Sequence, residues 1–303
     1  YFDPEMGRFV TADPLGNVDG PSEYAFGAGD WVNGRDAMGL ALYAFDGTWN
    51  NRANKKNPPT NVTLLARAYG GTAYYLPGVG TDWYTKHLCG ATGCGGIRRV
   101  ESMYEDLESA WNSGDHNIDI IGFSRGAAEA REFANKIAHQ GIVDHSRGKR
   151  VFPKIRFLGV FDTVASVGVP GNDINLGYRL ALPDAVLTAR HAIARHEYRG
   201  TFPLSRFADA NCSPSRRLQE KTFDGAHSDI GGGYKGDNSL SRIPLSWMWS
   251  EMKNAGIPMK ELSAEVAQVS GQSGTIHEPW RSILYLPTRI RVAIARAQGK
   301  EPG

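Results

Sequence analysis

The stretch from residue 117 to residue 133 reads NIDIIGFSRGAAEAREF and decides the fold. It opens with NIDII (117–121), whose β-branched side chains are typical of a buried strand. Residues 127–138, AAEAREFANKIA, are rich in good helix formers with apolar residues at helical spacing. Between them lies GFSRG (122–126). The sequence therefore predicts a G-x-S-x-G turn between a strand and a helix.

A turn of this kind is what the nucleophile elbow of α/β-hydrolases requires. Gly122 and Gly126 let the backbone turn tightly, which raises the Ser124 hydroxyl above the edge of the sheet. The following helix directs unpaired N–H groups and the positive end of its dipole toward the same place. We therefore interpret Ser124 as a candidate nucleophile, with a structural serine in a turn as the alternative.

Working outward, strand-like and helix-like segments alternate through most of residues 41–256. This alternation predicts an α/β fold, a mostly parallel sheet with helices on both faces. Residues 184–202, DAVLTARHAIARHEYRGTF, have helical spacing and are predicted as a helix that contains His191 and His196. Residues 258–303 show no clear element.

Composition narrows the classes of function. The 303 residues include 34 Lys and Arg against 32 Asp and Glu, a formal charge of +2 that gives no argument for a nucleic-acid partner. The apolar runs are too short to cross a bilayer, and YFDPEMGRFV at the start lacks the features of a signal peptide. Because the chain has no initiator Met, we expect it to be the C-terminal part of a longer polypeptide. No metal or other cofactor is predicted.

Ester hydrolysis by a serine needs a base that takes its proton, a carboxylate that orients the base, and donors for the oxyanion. In α/β-hydrolases the acid and the histidine follow the serine in that order. Asp162 ends a predicted strand and His227 follows a later one, so both fit. The simpler interpretations are that Asp162 caps a turn and that His227 is a loop histidine bonded to Asp229.

Other residues remain open for these roles. His277 is the alternative base, since it also follows Ser124 and lies in a loop. Asp229 is the substitute acid. The oxyanion donors are predicted to be the backbone N–H of Arg125 and one N–H from the first-strand loop, at Gly47 or Thr48.

In the same loop, Asp46 is expected to accept N–H bonds, as Asx turns do, with a direct catalytic role as the alternative.

Five blocks carry a family resemblance: FDGTWNN with TNV, GFSRGAAEAREFAN, GVFDTVASVG, HAIARHEYRGTF and GAHSDIGGGY. In this order they resemble the type VI secretion phospholipase effectors of the first class, which are α/β-hydrolases. The resemblance implies a phospholipase of the A type that hydrolyses acyl esters of membrane glycerophospholipids in a competing bacterium. It also implies synthesis in the bacterial cytoplasm, delivery to the target-cell envelope, and a cognate immunity protein.

Two other classes of function remain possible. The same triad could act on a soluble ester, thioester or peptide, or the domain could bind a partner without catalysis.

Residues 1–40 are dense in Gly, Asp and Pro and predict short hairpin strands. The run from Asp3 to Pro14 and the closing DAMGL (36–40) resemble the terminal segment of the Rhs repeat-associated core. The resemblance implies an Rhs shell and secretion-apparatus components as partners, and self-cleavage after Leu40 by Asp3 and Asp13. The alternative interpretation is that these two aspartates cap turns. Residues 1–40 are thus predicted to be the Rhs segment and residues 41–303 the hydrolase toxin domain.

Overall fold

The fold is described from a computed structural model. The described residues are 2–3, 8–9, 40–48, 50, 58–78, 94–165, 177–200, 202–207, 217–262, 274–282 and 286–298.

The strands are β1 (Phe2–Asp3), β2 (Arg8–Phe9), β3 (Leu40–Phe45), β4 (Thr72–Leu76), β5 (Asn117–Phe123), β6 (Ile142–Asp144), β7 (Lys149–Val151), β8 (Ile155–Phe161), β9 (Val186–Ala194) and β10 (Leu218–Phe223). The helices are α1 (Asn61–Ala68), α2 (Cys94–Asn112), α3 (Arg125–Gln140), α4 (His227–Gly231), α5 (Ser239–Asn254) and α6 (Leu286–Ala297). A 3₁₀ turn spans Pro279–Arg281.

Six strands form the central sheet in the order β10-β9-β8-β5-β3-β4, and every neighbouring pair is parallel. Strand order reverses between β3 and β5, and β5 leads into the Ser124 turn. Ligands of open α/β sheets bind at the carboxyl ends of the strands. The predicted α/β-hydrolase fold, with its parallel sheet, is confirmed.

The core consists of two layers, one on each face of the sheet. Strand β3 shows the division, since Ala41, Tyr43 and Phe45 pack with α2 and α3 while Leu42 and Ala44 pack with α1 and α5. Successive side chains of a strand point to opposite faces, so a strand that is buried on both sides is apolar throughout. Helices therefore cover both faces, as predicted.

The predicted helix over residues 184–202 is wrong. Residues 186–194 form strand β9, which lies between β8 and β10 and pairs with both. The alanines of this segment favour a helix locally, but two parallel hydrogen-bond ladders and the burial of Ala189, His191 and Ala192 override that preference. His191 is consequently a sheet residue.

The C-terminal region contains a helix that the sequence pattern did not predict. Helix α6 packs through Val292 against Tyr198 and Trp280, so its place depends on contacts with distant segments. Within the described parts of the chain, no helix combines the length and apolar character needed to span a bilayer.

Little of the proposed Rhs segment is described. Strand β1 pairs antiparallel with β2, which places Asp3 opposite Arg8, and Asp13 lies outside the described residues. Leu40 is the first residue of β3, where it is buried and pairs with Asn117 of β5. The division of the chain at residue 40 stays a prediction.

Candidate active site

The turn between β5 and α3 has the strained geometry of an elbow. Ser124 has φ 58° and ψ −124°, a conformation that costs free energy for any residue with a Cβ. Its N–H donates to the Phe161 carbonyl at 3.0 Å, and its own carbonyl accepts from the Val164 N–H at 3.2 Å. Both bonds join the elbow to the end of β8, which holds the strained turn in place.

The two glycines of the motif are required by close packing. A Cβ on Gly122 would lie 2.6 Å from the Gly126 carbonyl oxygen, and a Cβ on Gly126 would lie 2.4 Å from that of Phe45. Backbone atoms cannot move aside as a flexible side chain can. The motif therefore fits α3 tightly against β3 and β5.

Three side chains far apart in the sequence form one chain of hydrogen bonds. His227 Nε2 lies 2.8 Å from Ser124 Oγ, and His227 Nδ1 lies 2.6 Å from Asp162 Oδ2. All three residues are buried. With Nδ1–H donated to the carboxylate, Nε2 is left to accept the serine proton. This arrangement is suited to nucleophilic acyl transfer.

Asp162 is oriented by the neighbouring strand β9. Its other oxygen, Oδ1, accepts the Ala194 N–H at 2.9 Å, at the end of β9. Asp162 itself has φ 40°, and the next residue, Thr163, donates its N–H to His191 Nε2 at 3.3 Å. Burial lowers the pKa of His191, so its neutral ring can accept this bond while donating Nδ1–H to Glu220.

His227 is held from several sides by residues that sequence reasoning did not single out. Its backbone N–H donates to Glu197 Oε2 at 3.2 Å. The rings of Phe123 and Phe202 lie 4.7 Å and 5.0 Å from the imidazole. Glu197 and Phe202 both lie in the HAIARHEYRGTF block. The family resemblance of this block was therefore the sequence signal that could have identified them.

The helix that carries His227 is also fixed from α1. The Asn61 side-chain amide donates to the Ile230 carbonyl at 2.7 Å and to the Ser241 carbonyl at 2.8 Å. These bonds cross between the α1 and α5 regions and anchor α4 between them.

The oxyanion prediction needs one correction. The Gly47 N–H donates to Asp46 Oδ1 at 2.7 Å, so it is already paired within its own loop. In the described part of the chain, the backbone N–H groups of Thr48 and Arg125 have no acceptor. Of the three predicted donors, these two remain available for a developing negative charge.

Asp46 orders the first-strand loop, and it does not contact the Ser124 hydroxyl. Besides the Gly47 N–H, its carboxylate accepts hydrogen bonds from the hydroxyls of Thr60 and Tyr75 at 2.7 Å and 2.6 Å. Burial raises the pKa of Asp46 despite these bonds. Its alternative catalytic role is therefore not supported, because the donors already surround its oxygens.

His277 and Asp229, the alternative base and acid, pair with each other and not with Ser124. His277 Nδ1 lies 2.6 Å from Asp229 Oδ1, and Asp229 Oδ2 accepts the backbone N–H groups of Ala226 and His277. The His277 ring stacks on Tyr234 with centroids 4.0 Å apart. Because Asp229 lies in α4, this pair clamps residues 274–282 onto the helix that carries His227.

Among the described residues, no group of three or more His, Cys, Asp or Glu side chains is arranged to hold a metal ion.

We expect Asp162→Asn to lower kcat for p-nitrophenyl butyrate by about 10⁴-fold. An amide would offer its N–H to Nδ1, which favours the tautomer whose Nε2 cannot accept the serine proton. The exposed Asp224, which pairs with Arg195, supplies the control Asp224→Asn, expected to keep wild-type kinetics. A loss below tenfold, with thermal unfolding unchanged, would contradict the role of Asp162.

We expect His277→Ala to lower kcat more than it changes KM, because α4 loses its clamp and His227 shifts. A displacement of about 1 Å can cost ~10²-fold in rate, so a loss of about tenfold or more is anticipated. In His277→Asn the amide N–H can replace Nδ1–H and should restore most of the rate. His145→Ala, at an exposed residue, is the control. Equal losses in the Ala and Asn variants would argue against the clamp.

One family of known proteins matches most of the chain. The family described as T6SS phospholipase effector Tle1-like, catalytic domain, matches residues 42–154 and 143–251, which together make up well over half of the chain. A search among curated proteins found no match.

Two solved structures share the fold. An uncharacterized protein from Pseudomonas aeruginosa aligns with a TM-score of 0.62 at 24% identity, covering 75% of this chain and 48% of that one. The chain thus spans about half the length of that relative. The Tle1 effector bound to the VgrG spike of the type 6 secretion system aligns with a TM-score of 0.57 at 20% identity. The alignment covers 87% of this chain and 80% of that one. From the family match we conclude that the chain belongs to the Tle1-like phospholipase effectors of the type VI secretion system and contains their catalytic domain.

Proposed function

We propose that this protein is an antibacterial phospholipase of the A type, a serine hydrolase that cleaves acyl esters of membrane glycerophospholipids. The observation that carries the proposal is the hydrogen-bonded series Ser124–His227–Asp162 in a phospholipase effector domain. Ser124, His227 and Asp162 are assigned as nucleophile, general base and orienting carboxylate.

In the first half of the reaction, Ser124 Oγ attacks the ester carbonyl carbon while His227 Nε2 takes its proton. Asp162 stabilises the imidazolium that forms, through the 2.6 Å contact at Nδ1. When the tetrahedral intermediate collapses, the ester C–O bond breaks and His227 returns the proton to the leaving lysophospholipid oxygen. The fatty acyl group is left bound to Ser124.

In the second half, water takes the place of the leaving alcohol. His227 accepts a proton from the water as it attacks the acyl-enzyme, and then gives that proton to Ser124 Oγ as the fatty acid departs. The N–H groups of Arg125 and Thr48 are assigned to the oxyanion in both halves. The positive end of α3 adds to their effect.

The proposed partners follow from the family. The substrate is phospholipid of a target-cell membrane, reached after synthesis in the producer cytoplasm and delivery to the target-cell envelope. A spike protein of the secretion apparatus is a proposed carrier, since the related Tle1 effector is bound to VgrG. A lipase made inside a cell that has the same lipids also needs a cognate immunity protein.

The direct test is fatty-acid release from glycerophospholipid vesicles, followed by mass spectrometry of the products. We expect release by the wild type and a loss of at least ~10³-fold in Ser124→Ala, because a methyl group cannot form the acyl-enzyme. The conservative control Ser146→Ala changes a hydroxyl in an exposed turn that bonds Asp144, and it should leave release intact.

Other results would select the alternative functions. Turnover of short soluble esters or thioesters without any release from vesicles would replace the membrane lipid by a soluble substrate. Inactivity on both kinds of substrate by a folded wild-type protein would favour a non-catalytic binding domain.

We also propose that residues 1–40 are an Rhs-core terminus that is cleaved from the toxin after Leu40 by Asp3 and Asp13. The sequence pattern from Asp3 to Pro14 supports this proposal. Two carboxylates that share a proton can activate water for attack on a peptide bond. Since Leu40 and Ala41 are buried in β3, cleavage must occur before this end of the strand joins the sheet.

For a longer polypeptide with native sequence before residue 1, we expect mass spectrometry to find a fragment that begins at Ala41. The variants Asp3→Asn and Asp13→Asn should stay intact, while Asp19→Asn, a control within the same segment, should be cleaved. An uncut wild-type chain would end the self-cleavage proposal without affecting the assignment of Ser124.

A further inference from the structure

A cluster of charged side chains lies beside the Ser124 elbow and has no part in the mechanism above. Glu129, one turn after Arg125 in α3, is completely buried and accepts from Arg99 Nε of α2 at 3.1 Å on both oxygens. A Cβ built on Gly96 would lie 1.7 Å from the Tyr178 hydroxyl and 3.3 Å from Glu129 Oε1. Arg125 lies four residues before Glu129 in α3, which puts both residues on the same face of the helix. Arg99, Arg125, Glu129 and Tyr178 are here called the arginine cluster.

The charges of the arginine cluster are not balanced. Among the described residues, the cluster has two guanidinium groups and one carboxylate, that of Glu129, which bonds Arg99 alone. Its net charge is therefore +1 when all three groups are ionised. Burial raises the pKa of Glu129 and lowers that of Arg125, so both charges are held at a cost in solvation. The excess positive charge can be compensated by an anion.

The cluster also has hydrogen-bond donors without acceptors. Arg99 Nη2 is buried and has no hydrogen-bond partner among the residues that the structure describes. The Arg125 side chain makes no hydrogen bond to any of the described residues, although it is mostly buried. Buried donors are nearly always paired, and each exception calls for an explanation. A ligand with several acceptor oxygens would satisfy both guanidinium groups.

We propose that Arg99 and Arg125 form a subsite for the phosphodiester of the glycerophospholipid substrate. The inference rests on the proposed function of the Ser124 site. A phosphodiester has one negative charge, which matches the excess charge of the cluster, and guanidinium forks suit phosphate oxygens. Only a few glycerol bonds separate this group from the scissile ester, and Arg125 directly follows the nucleophile.

Glu129 has a supporting role in this subsite. By holding Arg99 through Nε, Glu129 fixes the plane of the guanidinium and leaves Nη2 for the ligand. It also keeps the net charge at +1. The subsite therefore selects an ester with one phosphodiester charge over an uncharged diacylglycerol with the same acyl chains.

The test compares two substrates in the same neutral detergent micelles, a phosphatidylglycerol and a diacylglycerol with identical acyl chains. We expect Arg125→Gln and Arg99→Gln each to lower the ratio of kcat/KM for phospholipid over diacylglycerol by at least tenfold. A substitution that only damages the elbow slows hydrolysis of both substrates by the same factor, so the ratio of their kcat/KM values does not change. Arg125→Lys keeps the charge and should retain part of the preference. Arg147→Gln, at an exposed hairpin residue, should leave the ratio unchanged.

A second measurement separates this inference from the proposed function. Glycerol 3-phosphate should slow fluorophosphonate labelling of Ser124 in the wild type. In Arg125→Gln, the concentration of glycerol 3-phosphate that gives the same slowing should be at least tenfold higher. If that dependence holds while vesicles are not hydrolysed, the proposed function fails and the phosphate subsite stands. If vesicles are hydrolysed but the ratio and the protection are unchanged in both variants, the subsite is overturned and the cluster only joins α2 to α3.

Discussion

Ser124 is held at φ 58° and ψ −124°, and the rest of the site depends on that strained turn. A residue with a Cβ stays in such a conformation only when its surroundings enforce it. Here the enforcement comes from the bonds to Phe161 and Val164 at the end of β8, and from Gly126 packed against the Phe45 carbonyl. The strain thus places the hydroxyl at the sheet edge where Asp162 and His227 also lie.

The same sheet edge fixes the orientation of the acid. Asp162 follows β8, has a positive φ, and accepts the N–H of Ala194 at the end of β9. Its second oxygen is then directed to His227. Parallel strands that end side by side thereby deliver serine and carboxylate from neighbouring positions, while the histidine comes from beyond β10. The site is accordingly a product of strand order as much as of the residues themselves.

Around His227, hydrogen bonds to two carboxylates restrict movement. Glu197 accepts the backbone N–H of His227. Asp229, which lies two residues after His227 in the chain, pairs with His277. A buried carboxylate that loses its partner is strongly destabilising, so each pair resists separation. The arginine cluster differs, because its donors exceed its acceptors. Paired groups hold the imidazole, whereas the unpaired donors of the arginine cluster are proposed to bind the substrate.

The amino-acid sequence by itself determined the elbow, the parallel sheet with its two helical layers, and the candidates for the three residues that meet at its edge. These features depend on local periodicity and on a motif whose glycines permit a tight, closely packed turn. Only the tertiary structure decided that residues 186–194 form a strand, since their alanines favour a helix until β8 and β10 supply two ladders. It also placed His227, and not His277, beside Ser124, and it paired the Gly47 N–H with Asp46, which leaves Thr48 as the proposed donor of that loop. These pairings depend on which donor meets which acceptor in three dimensions, and no local pattern encodes such contacts.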